Sequence, residues 1–218
     1  MIVTIDGPAG AGKSSVARVL ARRLGFRYLD TGAMYRAVAL AGLRRGLDWN
    51  RPEQLAELAR QLNIEALGER ILLDGEDVTL AVRGLEVTAV TKFAADNPQV
   101  RGCLVRLQRA AAGGHDVITE GRDQGTVVFP HAECKIYLTA SAEERARRRL
   151  SDLQTQGESY SFEQVLADLN RRDQEDASRP VGPLRRAPDA IDFSTDGMTL
   201  EEVVDRLAAI VADRRSRL

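Results

Sequence analysis

A glycine-rich octapeptide set between an apolar run and an amphipathic run constrains this chain more than any other feature. Gly7-Pro-Ala-Gly-Ala-Gly-Lys-Ser14 follows Ile2–Ile5, which reads as a buried strand. It opens a helix from Lys13 to about Leu24, with Val16, Val19 and Leu20 on one side. Glycines let the backbone curl until successive N–H groups point inward, and the helix N-terminus adds partial positive charge. The product is a polyphosphate cradle. Lys13 would face the β and γ oxygens, and Ser14 would offer a hydroxyl to Mg²⁺.

The rest of the chain alternates in the same way. Short strands are expected at Arg27–Asp30, Val117–Thr119, Lys135–Leu138 and Ala190–Phe193. Between them lie a helix ending near Gly46, one from Pro52 to Leu62, and two over Leu85–Ala95 and Pro98–Ala112, broken by Asp96-Asn97-Pro98. Asn63 to Val82 differs in kind and reads as two short antiparallel strands joined by a turn. Ser141-Ala-Glu-Glu144, Ser161-Phe-Glu-Gln164 and Thr199-Leu-Glu-Glu202 are capping-box patterns, each opening a helix. Strands separated by helices call for an α/β sandwich, a mainly parallel five-stranded sheet flanked by helices. No repeat or low-complexity linker divides it, so one domain is expected.

Composition narrows the class of partner. With 44% apolar and 29% charged residues the chain is an ordinary folded mixture, and its net charge of −1 gives no general pull toward nucleic acid or anionic membrane. No apolar stretch is long enough to span a bilayer, and the N-terminus lacks a basic segment followed by an apolar run. The cytoplasm is therefore the expected compartment. Cys103 and Cys134 form no C-x-x-C pair and read as reduced core residues. No long heptad stands out, so a monomer is expected.

A phosphate loop alone does not separate kinases from GTPases and mechanical ATPases. The Asn-Lys-x-Asp motif of guanine recognition is absent, and only Lys13, Lys92 and Lys135 are lysines. Kinases bring two polyanions together and need further cations. Arginines supply them in three places: Arg36, the run Arg145 to Arg149, and Arg171, Arg172 and Arg179 interleaved with Asp173, Glu175 and Asp176. The second and third groups read equally well as solvated helix faces or ordinary ion pairs. Glu120-Gly-Arg-Asp123 follows a strand at the carboxyl edge of the sheet, where ligands bind in open α/β folds. Gly121 would let the chain turn and aim Arg122 and Asp123 into the cleft; the alternative is a surface turn with a local ion pair.

Five segments together resemble the bacterial cytidylate (CMP) kinase family, one of the phosphate-loop nucleoside monophosphate kinases. They are Ile5 to Ser14, Leu29-Asp-Thr-Gly-Ala-Met-Tyr-Arg36, Glu120-Gly-Arg-Asp-Gln-Gly-Thr-Val-Val-Phe-Pro130, Glu143 to Arg149, and Arg172-Asp-Gln-Glu-Asp-Ala-Ser-Arg179. The resemblance covers essentially the whole chain. It implies a core of residues 1–30, 114–145 and 180–218, a monophosphate-binding region with an antiparallel insert over about 31–113, and a short lid over about 146–179.

It further implies ATP bound by Gly7, Pro8, Ala9, Gly10, Ala11, Gly12, Lys13, Ser14 and Ser15, with Mg²⁺ on Ser14. Thr31 and Arg36 would sit at the acceptor's base and phosphate. Thr91, Arg101 and Asp123 would read cytosine, Arg122 and Arg172 would hold the acceptor phosphate, and Asp176 would take a ribose hydroxyl. Arg179 would also face the phosphates. Lys13, Arg122, Arg148 and Glu120 would carry catalysis, Arg148 from the lid. The implied substrates are ATP and CMP or dCMP. Two departures stand out: position 120 is Glu where the family often has Asp, and the acid near the C-terminus is shifted to Asp192. Kinases acting on UMP, AMP or shikimate, and a non-catalytic nucleotide-binding regulator, are the rival readings. The paired acidic motif and triple-glycine loop of shikimate kinases are absent.

Overall fold

Strand β1 (Ile2–Asp6) occupies the centre of a five-stranded parallel sheet in a computed structural model that describes residues 1–155 and 157–218. The order is β2-β6-β1-β7-β8, with β2 at Arg27–Asp30, β6 at Val117–Gly121, β7 at Cys134–Thr139 and β8 at Ile191–Ser194. The parallel sheet expected from the alternating pattern is present, and the central strands are buried almost throughout. The chain leaves β1 toward β2 on one side and later fills β7 and β8 on the other. That reversal opens a crevice at the carboxyl end of β1.

Helix α1 (Lys13–Leu24) stops at Gly25, whose φ of +67° few other residues tolerate, and Phe26 N–H closes onto Ala21 C=O at 2.9 Å. Helices α2 (Thr31–Arg44) and α3 (Pro52–Gln61) follow. The insert then forms three antiparallel strands rather than two: β3 (Ile64–Leu67), β4 (Arg70–Leu73) and β5 (Glu76–Asp77). A two-residue acidic strand leaves no alternation to detect; Glu76 is fixed instead by a forked pair with Arg44 at 2.7 and 2.8 Å. Helices α4 (Leu85–Ala95) and α5 (Pro98–Ala112) are separated where Asn97 accepts from Gln99 N–H at 3.0 Å and Val100 N–H at 3.2 Å.

Two of the three expected capping boxes are complete, opening α7 (Phe162–Ser178) and α8 (Leu200–Arg215). The box before α6 (Ala142–Thr155) is only half made. Ser141 Oγ accepts from Glu144 N–H at 3.3 Å, but Ser141 N–H is taken by Asp196 at 2.9 Å. Glu144 is thereby free to pair with Arg147 and Arg148.

Three apolar clusters hold the elements together. One packs β1 and β7 against α1 and α8 through Val3, Ile5, Leu20, Ile136 and Leu207. A second joins α2 through α5 and the insert through Met34, Val38, Ile71, Val82 and Leu104. A small third cluster, Ala9, Ala146, Leu153, Val165 and Leu169, packs α6 and α7 onto the glycine loop. Cys103 and Cys134 are buried free thiols. Among the described residues no helix is long and apolar enough to cross a membrane.

Candidate active site

The glycine loop turns at the carboxyl end of β1. Gly7 has φ +153°, and a Cβ there would fall 2.0 Å from Leu138 O, a backbone atom with nowhere to go. Gly12 (φ +86°) starts α1 without any side-chain cap, so the first-turn N–H groups face the crevice. Lys13 is buried and its Nζ donates to Pro8 O at 2.7 Å, folding the side chain back over the loop. Burial, then the nearby Arg122 guanidinium, pushes its pKa down to about 7 against the pull of Glu120.

Sheet register lines up three carboxylates. Glu120 lies beside Ile5 and Asp30, and Asp6 beside Gly121, so Asp6, Asp30 and Glu120 share the carboxyl edge of adjacent strands. Ser14 Oγ donates to Glu120 Oε1 at 2.9 Å. This hydroxyl and carboxylate form the hard oxygen set that suits Mg²⁺, an ion that keeps waters and phosphate oxygens as its other ligands. Thr31 Oγ1 donates to Glu120 O at 2.6 Å. Asp6 accepts from Gln124 N–H at 2.9 Å and Gly125 N–H at 2.7 Å, which pins a π-helical turn over Gln124–Val128. Burial raises the Asp6 carboxyl to about 6 despite those two bonds. Neither the turn nor the role of Asp6 was legible in the local sequence.

Arg101 Nη2 and Asp123 Oδ2 form an ion pair whose side chains are only 4% and 5% exposed. Arg101 also lies over the Tyr35 ring, 5.5 Å from its centroid. Burial raises the Asp123 pKa and outweighs the pull of Arg101. Gly182 (φ +63°) caps this pair: a Cβ there would lie 1.9 Å from Arg101 Nη2 and 2.5 Å from Asp123 Oδ2. Sequence reading missed Gly182, since its neighbour in space is remote in the chain.

Asp176 gathers two of the expected phosphate arginines. Arg122 Nε donates to its Oδ2 at 2.6 Å, and Arg179 Nη2 lies 2.6 Å from its Oδ1. Burial pushes the Asp176 pKa up, but Arg122, Arg179 and Arg172 together bring it below the ordinary value. Arg179 also reaches Asp96 at 2.7 Å. Arg172 makes no salt bridge or hydrogen bond among the described residues. Desolvation, followed by the charge of Arg122, lowers its pKa, although its side chain still reaches solvent. Arg36 touches Asp30 only loosely, at 3.5 Å, and its Nε is buried without a partner. Arg83, which the sequence did not single out, approaches the other oxygen of Asp30 at 3.9 Å.

The remaining expected residues divide. Thr91 Oγ1 donates to Val87 O at 2.7 Å within its own helix, and no hydrogen bond ties it to Arg101 or Asp123. Arg148 stands over the glycine loop, its Nη1 3.9 Å from a Cβ built on Gly12. It is held there by Glu144 at 3.0 Å and by Thr195 Oγ1 and O at 2.9 Å each. Arg147 faces solvent. The shifted acid Asp192 pairs with Arg186 at 2.7 Å and takes no part in the crevice.

This arrangement has known relatives. The sequence profile described as cytidylate kinase matches residues 3–213. A protein named cytidylate kinase from Rhodopirellula baltica is 50% identical over 213 residues, covering 98% of this chain and 93% of that one. Others of that name from Desulfitobacterium hafniense and Geobacter sulfurreducens are 47% and 46% identical, over 97% and 98% of this chain and 93% and 94% of theirs. Among solved structures, a shikimate kinase from Bacteroides thetaiotaomicron superposes with a TM-score of 0.50 at 12% identity, covering 97% of this chain and 98% of that one. That likeness concerns the fold alone. The match over nearly the full length, together with the loop and the guanidinium cluster facing it, leads to one conclusion: the chain belongs to the cytidylate kinase family.

Proposed function

We propose that the protein transfers the γ-phosphoryl group of ATP to CMP or dCMP, giving ADP and CDP or dCDP. One observation carries this reading. A phosphate loop and a cluster of guanidiniums meet at one edge of the sheet, beside a buried Arg101–Asp123 pair suited to a cytosine edge. Asp123 uses Oδ2 on Arg101, which leaves Oδ1 to accept from the exocyclic amine. Arg101 donates only, and its remaining N–H groups match the acceptors N3 and O2 of cytosine. Uracil presents a donor at N3 and an acceptor at C4, so it opposes both groups. A mismatch of charged hydrogen bonds costs about 1.5–3 kcal/mol each, or roughly 10–100-fold.

The chemistry is positioning and charge neutralisation. The N–H groups of the loop and the ammonium of Lys13 hold the donor phosphates, while Arg36, Arg122 and Arg172 take the acceptor phosphate as planar forks. Ser14, with Glu120 behind it, would hold Mg²⁺, which would neutralise charge on the β and γ oxygens. Arg148 completes the donor side from α6. Asp176, which tethers Arg122 and Arg179 in the free protein, orients them and receives a ribose hydroxyl.

An ADP-release assay with CMP, dCMP, UMP, AMP and shikimate as separate acceptors tests the assignment. CMP and dCMP are expected to give the highest kcat/KM, with UMP about 10-fold or more below. Turnover on UMP, AMP or shikimate alone, or on none of the five, would overturn it.

A further inference from the structure

Both polar backbone groups of Ala9, in the donor loop, are held by one ion pair from α6 and α7. Ala9 N–H donates to Asp173 Oδ1 at 3.1 Å, and Ala9 O accepts from Arg145 Nη1 at 2.9 Å. The same Nη1 donates to Asp173 Oδ2 at 2.6 Å, and Arg145 Nε donates to Ala140 O at 3.1 Å just past β7. The Arg145 side chain is 7% exposed. Packing reinforces the clamp: Ala9 lies in the cluster of Ala146, Val165 and Leu169, and a Cβ on Gly10 would fall 3.3 Å from Arg145 Cβ. The hydrogen bonds stop at Ala9 and leave the uncapped first turn of α1 to the phosphates.

The helix that supplies Asp173 also supplies the acceptor side. Arg172 is the preceding residue, and Asp176, three residues on, holds Arg122 and Arg179. Three residues of helix, a rise of about 4.5 Å, thus separate an anchor on the donor loop from an anchor on the acceptor cluster. We propose that Arg145 and Asp173 are positioning residues for phosphoryl transfer. They lock α7 to Ala9 and so set the reach between the ATP phosphates and the acceptor side chains on the next turn. The proposal rests on the substrate assignment above. The competing account is a pair that only holds α6 and α7 in place.

Asp173→Asn keeps an acceptor for Ala9 N–H but loses the ion pair; Arg145→Lys keeps the charge but loses the fork. With ATP and CMP, each variant should lose kcat by about 100-fold, the scale set by a displacement of ~1 Å between reacting groups, while each KM rises far less, by about the fivefold of lost coupling between the two substrates. The double variant should be no slower than the slower single one, since both changes open the same clamp. A kcat for Asp173→Asn close to the original, a loss that only tracks the folded fraction by circular dichroism, or a raised KM for ATP at unchanged kcat overturns the proposal.

Calorimetry with a non-hydrolysable ATP analogue gives a readout that needs no turnover. CMP should tighten analogue binding by about fivefold or more in the original protein and leave it unchanged in Asp173→Asn. Equal coupling in both, or no coupling in the original protein, refutes the clamp. If the original protein shows coupling and the variant loses it, but no CDP forms, the substrate assignment fails and the clamp stands. If CDP forms and the variant matches the original, the clamp alone fails.

Discussion

With its Nζ turned to Pro8 O, and burial and then Arg122 pushing its pKa down to about 7, Lys13 gives up charge in the free protein near neutral pH, where a free lysine keeps it. An arriving polyphosphate supplies the opposite charge that the site lacks, so ATP binding at pH 8 should be accompanied by net proton uptake at Lys13. Calorimetry in buffers of differing ionisation enthalpy measures this, and uptake near zero at pH 8 would count against the described environment. The sign for folding follows from the same residue. A lysine depressed from 10.5 to about 7 binds fewer protons when folded, so its contribution makes the free protein more stable as pH rises across that window. Lys13→Met should reduce kcat by about 100–1,000-fold or more, as expected for removing a charge aimed at the transferring group. Across the crevice, Asp123→Asn should lower kcat/KM for CMP by about 10–100-fold while narrowing the preference over UMP, because an amide can donate where the carboxylate only accepts. Steady-state kinetics on both acceptors check this; an unchanged preference would remove Asp123 from base recognition.

Elements with strong local signatures were legible in the sequence. The loop and the start of α1 were legible because glycine spacing, an apolar strand and a helical face coincide over a short span. Two of the three capping boxes formed as expected. What escaped depends on partners distant in the chain. Strand β5 is too short and too acidic to alternate, and the turn over Gln124–Val128 exists because Asp6 on another strand accepts its N–H groups. Glu144 breaks its capping box because Asp196 takes the place it would fill. The Arg145 run was split between solvent and site, and the structure gives Arg147 to solvent, Arg148 to the donor loop and Arg145 to Ala9. Thr91 was placed by resemblance, whereas Asp192 stood as a departure from the family pattern; the observed bonds of both are local. The loop after α7 carries its own prediction. Gly182→Ala would set a methyl against the Arg101 guanidinium at a φ of +63°, so kcat/KM for CMP should fall about 10-fold or more while the KM for ATP holds. An unchanged kcat/KM for CMP in that variant would show that the Arg101–Asp123 pair can shift without consequence.

At the scale of the whole molecule, a chain of net charge −1 still gathers four of its arginines at one edge of the sheet. Arg36, Arg122, Arg172 and Arg179 sit near one another; Asp30, Asp96 and Asp176 are the acidic partners of the other three, and Arg172 has none among the described residues. Mutual repulsion there opposes folding until polyanions bind, so ligands should stabilise strongly. At 100 times its Kd a ligand adds about 2.7 kcal/mol, which for a chain of this size raises Tm by about 5–10 °C. Scanning calorimetry with ATP or CMP should show a rise of that order, and no rise with either would contradict the charge picture. The core and the crevice are thus built by one sheet, with α7 reaching from the glycine loop to the arginine cluster. The most direct measurement of the central claim follows the phosphoryl group itself. With γ-labelled ATP, Mg²⁺ and CMP, label should pass into CDP with the original protein and fail to do so with Lys13→Met. Label that stays in ATP, or leaves only as inorganic phosphate, would contradict the account.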